Sequence, residues 1–219
     1  MMVVGLTGGL ATGKSLVAEA FRRRGAAVLS ADQIAREITA AGSPAVRRIA
    51  EELGEEFVRP DGSLDRSAVG EYVFRNEDAR KRLEAIVHPP VLERLQQEIE
   101  RYRNLPGGPE VLVVEVPLLY EVGIADWFDK VVVVAAPEEV QVARVMARDR
   151  VSEEEARRRV RAQMPLALKV QRADAVIRNE GTPEELEEAV ERTLESLTRG
   201  GGESAARASR ADKCAGACT

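Results

Sequence analysis

The stretch Gly8-Gly9-Leu10-Ala11-Thr12-Gly13-Lys14-Ser15 has the spacing G-x-x-x-x-G-K-S. An apolar run, residues 2–7, precedes it, and residues 14–24 follow with Leu16, Val17, Ala20 and Phe21 on one helical face. A strand that feeds a glycine loop that feeds a helix N-terminus is the context of a phosphate-binding loop. Glycines let successive N–H groups turn inward, so that a phosphate approaches without meeting a Cβ. The helix start adds unpaired donors and the positive end of its dipole. Lys14 offers a mobile cation for the β- and γ-phosphates, and Ser15 a hydroxyl for Mg²⁺. A glycine-rich turn with a chance lysine would not need this strand and this helix around it.

Residues 26–30, 110–116, 130–135 and 175–178 are further strand candidates. Their uninterrupted valine runs imply burial on both faces, as in a parallel sheet covered by helices. The alternation of strands and helices gives the α/β class. Helices are expected over residues 33–41, from Ser43-Pro44 to about Leu53, from Asp65 through Phe74, and over residues 77–87 and 91–103, with His88-Pro89-Pro90 as an interruption. The purely helical stretch between the second and third strands, about sixty residues, exceeds what a crossover needs and suggests an inserted lobe. Residues 137–149 form another helix. Ser152 to Glu155 is a capping box for one that runs through about Gln163, and Thr182 to Glu185 for one that runs to about Leu197. From Gly200 the chain has no apolar period, and a disordered tail is expected.

The length of 219 residues suits one domain, or a core with an inserted lobe. A net charge of −5 gives no global basic field to recruit nucleic acid. The two cysteines, Cys214 and Cys218, lie too close to the end to staple a core. No apolar run approaches membrane-spanning length. These readings predict a soluble cytoplasmic protein, a monomer, with neither nucleic acid nor membrane as partner.

Asp32 follows the second strand, and ligands of parallel sheets bind beyond the carboxyl ends of strands. It can orient an acceptor hydroxyl and take its proton, hold a metal through water, or simply cap the next helix. Arg144 and Arg148 are four apart and share a helical face, where cations can serve a transferred phosphoryl group. Arg150, Arg157, Arg158, Arg159 and Arg161 make the following hairpin arginine-rich, either as a closing lid or as a solvated face paired with Glu153–Glu155. Glu115 ends a buried strand and can reach Mg²⁺ through water. His88, the only histidine, reads as part of the kink before Pro89. No N-K-x-D motif marks a GTPase; Asn179-Glu180-Gly181 can offer backbone and amide groups to an adenine instead.

The ordered set of motifs resembles the dephospho-CoA kinase family from Val4 to about Leu197. The matching stretches include residues 5–15, Ala31-Asp32 with Ala35-Arg36-Glu37, Gly42-Ser43-Pro44, and Leu64-Asp65-Arg66. They continue with Val73-Phe74, Leu83 to Pro89, Val116 to Glu121, Arg144 to Asp149, Gln163-Met164-Pro165, and Ala173 to Gly181.

The resemblance implies a P-loop kinase fold: a five-stranded parallel sheet covered by helices, a helical substrate lobe and a helical lid. The expected division is one domain over residues 1–198. Its core is 1–40, 108–137 and 170–198, its lobe about 41–107 and its lid about 138–169, with a tail at 199–219. The implied reaction is ATP plus 3′-dephospho-CoA giving ADP and coenzyme A, with phosphorylation at the ribose 3′-hydroxyl. By matching position, Gly8, Gly9, Ala11, Thr12, Gly13, Lys14, Ser15, Leu16 and Asn179 would bind ATP, with Mg²⁺ on Ser15. Asp32 would be the base, Lys14, Arg144 and Arg148 would serve transfer, and Asp32, Arg36, Arg66 and His88 would hold the acceptor. Two positions depart from the family pattern: Arg150 stands where glycine is usual, which implies a stiffer lid hinge, and Glu115 where aspartate is commoner. A nucleoside or nucleotide kinase is the alternative enzyme; a non-catalytic ATP-dependent switch is the alternative class.

Overall fold

Val3 and Val4 face opposite sides of strand β1 (Met2–Gly8), and that alternation organises the protein. The structure, a computed structural model, describes residues 1–199. The expected tail with Cys214 and Cys218 lies outside the described residues. β1 is central, paired in parallel with β3 (Val111–Glu115) on one side and β4 (Lys130–Ala135) on the other. β2 (Ala27–Ser30) joins β3 and β5 (Ala175–Arg178) joins β4, which gives the parallel order β2-β3-β1-β4-β5.

Val4, Leu6, Val113, Val132 and Val134 pack with α1 (Lys14–Arg23) and α9 (Pro183–Arg199) on one face. Val3, Leu112, Val114 and Val131 pack on the other with α2 (Ala31–Ile38) and the C-terminal half of α5 (Glu77–Arg103). Two-sided burial explains the valine runs, and each such side chain contributes about 1.5–3 kcal/mol. Leu16 does not join Val17, Ala20 and Phe21: it is 63% exposed, in the first turn of α1.

A separate core unites Val46, Ile49 and Leu53 of α3 (Pro44–Leu53), Val69 of α4 (Arg66–Arg75), and Ala79 and Ile86 of α5. Its helices start as the caps direct: Ser43 Oγ accepts from the Val46 N–H at 3.2 Å and Asp65 Oδ1 from the Ala68 N–H at 3.1 Å. The expected break at His88-Pro89-Pro90 is absent, and α5 is continuous through both prolines. Prolines remove donors from the helix ladder. Here Ile86 is locked into the lobe core and Val91, Leu95 and Ile99 into the sheet core, so burial on both sides holds the helix together.

The chain then forms α6 (Glu138–Asp149) and α7 (Glu153–Arg161), which share a small core of Val142, Val145 and Ala156. α7 ends at Arg161, before the expected Gln163, and a further helix, α8 (Leu166–Arg172), was not expected from the sequence. Its seven residues are too few to display a clear apolar period. The box that starts α9 is reciprocal: Thr182 Oγ1 accepts from the Glu185 N–H at 3.3 Å and Glu185 Oε2 from the Thr182 N–H at 2.8 Å.

Candidate active site

β1 ends between β3 and β4, and the glycine loop leaves its carboxyl end there. Gly8 has φ +155°, and a Cβ on it would lie 2.2 Å from the Val134 carbonyl oxygen. Gly13, at φ +91°, caps α1, and a Cβ there would lie 2.1 Å from the Asn179 amide nitrogen. Only glycine fits either position. The loop is braced from within: Thr12 Oγ1 donates to the Gly9 carbonyl at 3.0 Å and Lys14 Nζ to the same carbonyl at 2.8 Å. It is also braced from without, by the Asn179 amide on the Thr12 carbonyl at 2.9 Å and by Arg144 on the carbonyls of Ala11 and Asn179, both at 3.3 Å.

A cavity of about 550 Å³ opens beside this loop. Its wall brings together Ala11, Gly13, Lys14, Ser15 and Leu16 from the loop and α1, Asp32 from α2, His88 from α5, Glu115 from β3 and Arg148 from α6. Asp32 does not cap α2. Ser30 does, its Oγ accepting from the Gln33 N–H at 3.4 Å, so the exposed Asp32 carboxylate faces the cavity uncommitted to a cap. Apolar residues Val87, Val91, Leu92 and Leu95 of α5 also line it.

Of the other expected contact residues, Gly8, Gly9 and Thr12 are buried within the loop, and four lie elsewhere. Arg144 braces the loop from behind. The Asn179 amide is only 5% exposed and is turned into the loop, so it is not presented to a base. Arg66 donates to the carbonyls of Arg36 and Thr39, both at 3.2 Å, and so serves the C-terminal end of α2, where carbonyls lack helical partners. Arg36 is exposed on that helix, outside the cavity wall.

Burial draws the Lys14 ammonium down from its ordinary 10.5 to about 8, with Glu115 and Asp32 opposing and Lys169 and Arg148 reinforcing. Lys169, on α8, is a functional candidate that sequence reading missed. It is fully buried, 2.8 Å from Glu121 Oε1, and donates to the Pro117 carbonyl at 3.0 Å. Its signal was a lone lysine inside the apolar run Leu166-Ala167-Leu168-Lys169-Val170. Gln163 also lines the cavity, and its carboxamide oxygen is buried with no hydrogen-bond partner among the described residues.

Ser15 Oγ donates to Glu115 Oε1 at 2.8 Å, and both residues line the cavity. A hydroxyl and a carboxylate are the hard oxygen donors that Mg²⁺ takes from a protein when phosphates and water complete its shell. Among the described residues no group of three or more His, Cys, Asp or Glu forms a dedicated metal cage, so these two residues fit a shared, phosphate-borne ion.

The strand, phosphate loop and helix on a parallel sheet, with a carboxylate and an apolar wall across the same cavity, define a P-loop kinase of small molecules. The sequence model of dephospho-CoA kinases matches residues 2–185. The dephospho-CoA kinase of Anaeromyxobacter dehalogenans is 48% identical over 92% of this chain and 95% of its own length. Among solved structures, a Thermus thermophilus protein superposes with a TM-score of 0.71 at 38% identity, over 90% of this chain and 97% of that one. The dephospho-CoA kinase of Campylobacter jejuni gives 0.67 at 26% identity, over 91% and 98%. The chain belongs to the dephospho-CoA kinase family.

Proposed function

We propose that this protein transfers the γ-phosphoryl group of ATP to the ribose 3′-hydroxyl of 3′-dephospho-CoA, releasing ADP and coenzyme A. The observation that carries the reading is one cavity wall shared by Lys14 of the phosphate loop, Asp32 and the apolar face of α5. The loop N–H groups and Lys14 hold the phosphates and keep the donor in place. Asp32 accepts the proton of the acceptor hydroxyl as it attacks, which avoids a free alkoxide. Arg148 lies where a cation can offset charge on the phosphoryl group in flight. Arg144 acts one step back, holding the loop through the Ala11 carbonyl. Val87, Val91, Leu92 and Leu95 give the acceptor an apolar surface, with His88 among them.

Ser15, supported by Glu115, would hold Mg²⁺, which supplies charge neutralisation on the phosphates when bound. In this reading the helices of residues 41–107 form the acceptor lobe and those of 138–169 the lid. The protein works as a cytoplasmic monomer, which gel filtration of the purified chain checks. Among the described residues no helix is long and apolar enough to cross a membrane.

The test is ADP release from Mg-ATP with dephospho-CoA, adenosine or AMP as acceptor. Dephospho-CoA should give the highest kcat/KM. A preference for adenosine or AMP would favour a nucleoside or nucleotide kinase, and slow hydrolysis indifferent to any acceptor would favour a switch.

A further inference from the structure

The lobe and the hairpin meet at one aromatic ring. Phe74, half-buried on α4, lies beneath two guanidinium groups of α7: Arg158 Cζ is 5.6 Å and Arg159 Cζ 5.5 Å from the ring centroid. These distances are within reach of a cation–π attraction. Both arginines are also held from below by Glu155, Arg159 through Nε at 3.1 Å.

The contact continues inward. Arg159 Nη1 donates to Asp149 Oδ2 at 3.1 Å. The same carboxylate takes a two-point grip from Arg148, Nε to Oδ1 at 2.7 Å and Nη2 to Oδ2 at 3.0 Å. Arg148 lines the cavity. Direct contacts therefore run from Phe74 of the lobe, through Arg159 and Asp149, to a guanidinium at the phosphate site.

We propose that Phe74 is a positioning residue: by holding the Arg159 guanidinium in place it fixes Asp149, and through Asp149 the placement of the Arg148 guanidinium during phosphoryl transfer. The proposal rests on the role given to Arg148 above. Two physical points support it. A fork-to-carboxylate pair sets orientation as well as distance, so anchoring the carboxylate anchors the guanidinium. Arg148, Arg158 and Arg159 against Asp149 and Glu155 also leave one positive charge over, so the cluster preserves the field that Arg148 presents to the cavity. The lobe that carries Phe74 also carries Val87 and His88 of the acceptor wall, so the same body that meets the acceptor steadies the arginine.

The test uses the full chain with Phe74→Leu, Phe74→Trp and Arg159→Lys, each in the native and the Arg148→Lys background. kcat, both KM values and the thermal midpoint are measured. Phe74→Leu should lower kcat about fivefold, the size of loss expected from one cation–π contact, with the KM for ATP unchanged and a small fall in the midpoint that is equal in both backgrounds. Phe74→Trp should restore kcat. Arg159→Lys, which keeps the charge but loses the planar guanidinium, should fall as Phe74→Leu does. In the Arg148→Lys background Phe74→Leu should cost less than about twofold, because the group it positions is already gone. An unchanged kcat in Phe74→Leu, or an equal loss in both backgrounds, would overturn the proposal. If Arg148→Lys alone leaves kcat intact, the role of Arg148 fails as well; if it is impaired while Phe74→Leu is not, only the positioning by Phe74 fails.

Discussion

The side-chain amide of Asn179 donates to the carbonyl of Thr12 at 2.9 Å, joining the end of β5 to a loop 167 positions earlier in the chain. Both residues are buried, and the amide fills the space that a side chain on Gly13 would need. Asn179→Ala leaves the Thr12 carbonyl unpaired, at a cost of about 1–3 kcal/mol. The urea midpoint should fall, and the affinity for ATP, read by calorimetry, should fall with it. An unchanged affinity would mean that the loop keeps its shape without this brace.

The depressed ammonium of Lys14 predicts two opposite responses to pH. Its folded value is about 8 against an ordinary 10.5. Above about pH 8 the free enzyme loses the cation, so kcat/KM for ATP should decline; bound phosphates favour the ammonium, so kcat should hold to higher pH. Lys14→Arg should remove the inflection, since arginine stays charged. Stability should move the other way. Between pH 8 and 10.5 the unfolded chain binds the proton that the folded chain has released, so the burial cost of the charge disappears as pH rises. Chemical denaturation across that range, native against Lys14→Met, checks the sign.

Asp32→Asn keeps the shape of α2, because Ser30 is its cap. ATP affinity should therefore be unaltered, while kcat falls by about 10²–10⁴, the usual contribution of a positioned base. Isothermal titration and steady-state kinetics on one preparation separate the two. A kcat within a few-fold of native would remove Asp32 as the base.

Arg150 occupies the left-handed region, φ +56° and ψ +41°, at the turn between α6 and α7. A side chain there costs about 1 kcal/mol that glycine avoids. Arg150→Gly should raise the unfolding free energy by roughly 0.5–1 kcal/mol, read as a higher urea midpoint at unchanged m-value, and Arg150→Val should lower it.

Much of the fold could be read from spacing. The strand-loop-helix context placed the phosphate site, and the valine runs placed a parallel sheet, because both signals are local and repeat at the period of their own element. The misses are non-local. Tandem prolines read as a break, and only the two cores on either side of them keep α5 whole. Lys169 was overlooked because its partners, Glu121 and the Pro117 carbonyl, lie 48 and 52 positions away. The resemblance implies an acceptor contact for Arg66, and only the fold shows its bonds to the carbonyls of Arg36 and Thr39. That Asp32 does not cap α2 needed the hydroxyl of Ser30, whose capping reach depends on where α2 begins.

The most direct test of the account is product identity at full conversion. The protein is incubated with Mg-ATP and 3′-dephospho-CoA, ADP is quantified, and the acceptor is analysed by mass and by ³¹P NMR. The account predicts one ADP for each acceptor molecule that gains a single phosphoryl group, at the 3′ position. ADP released with the acceptor unchanged, or a phosphoryl group on another oxygen, would contradict it.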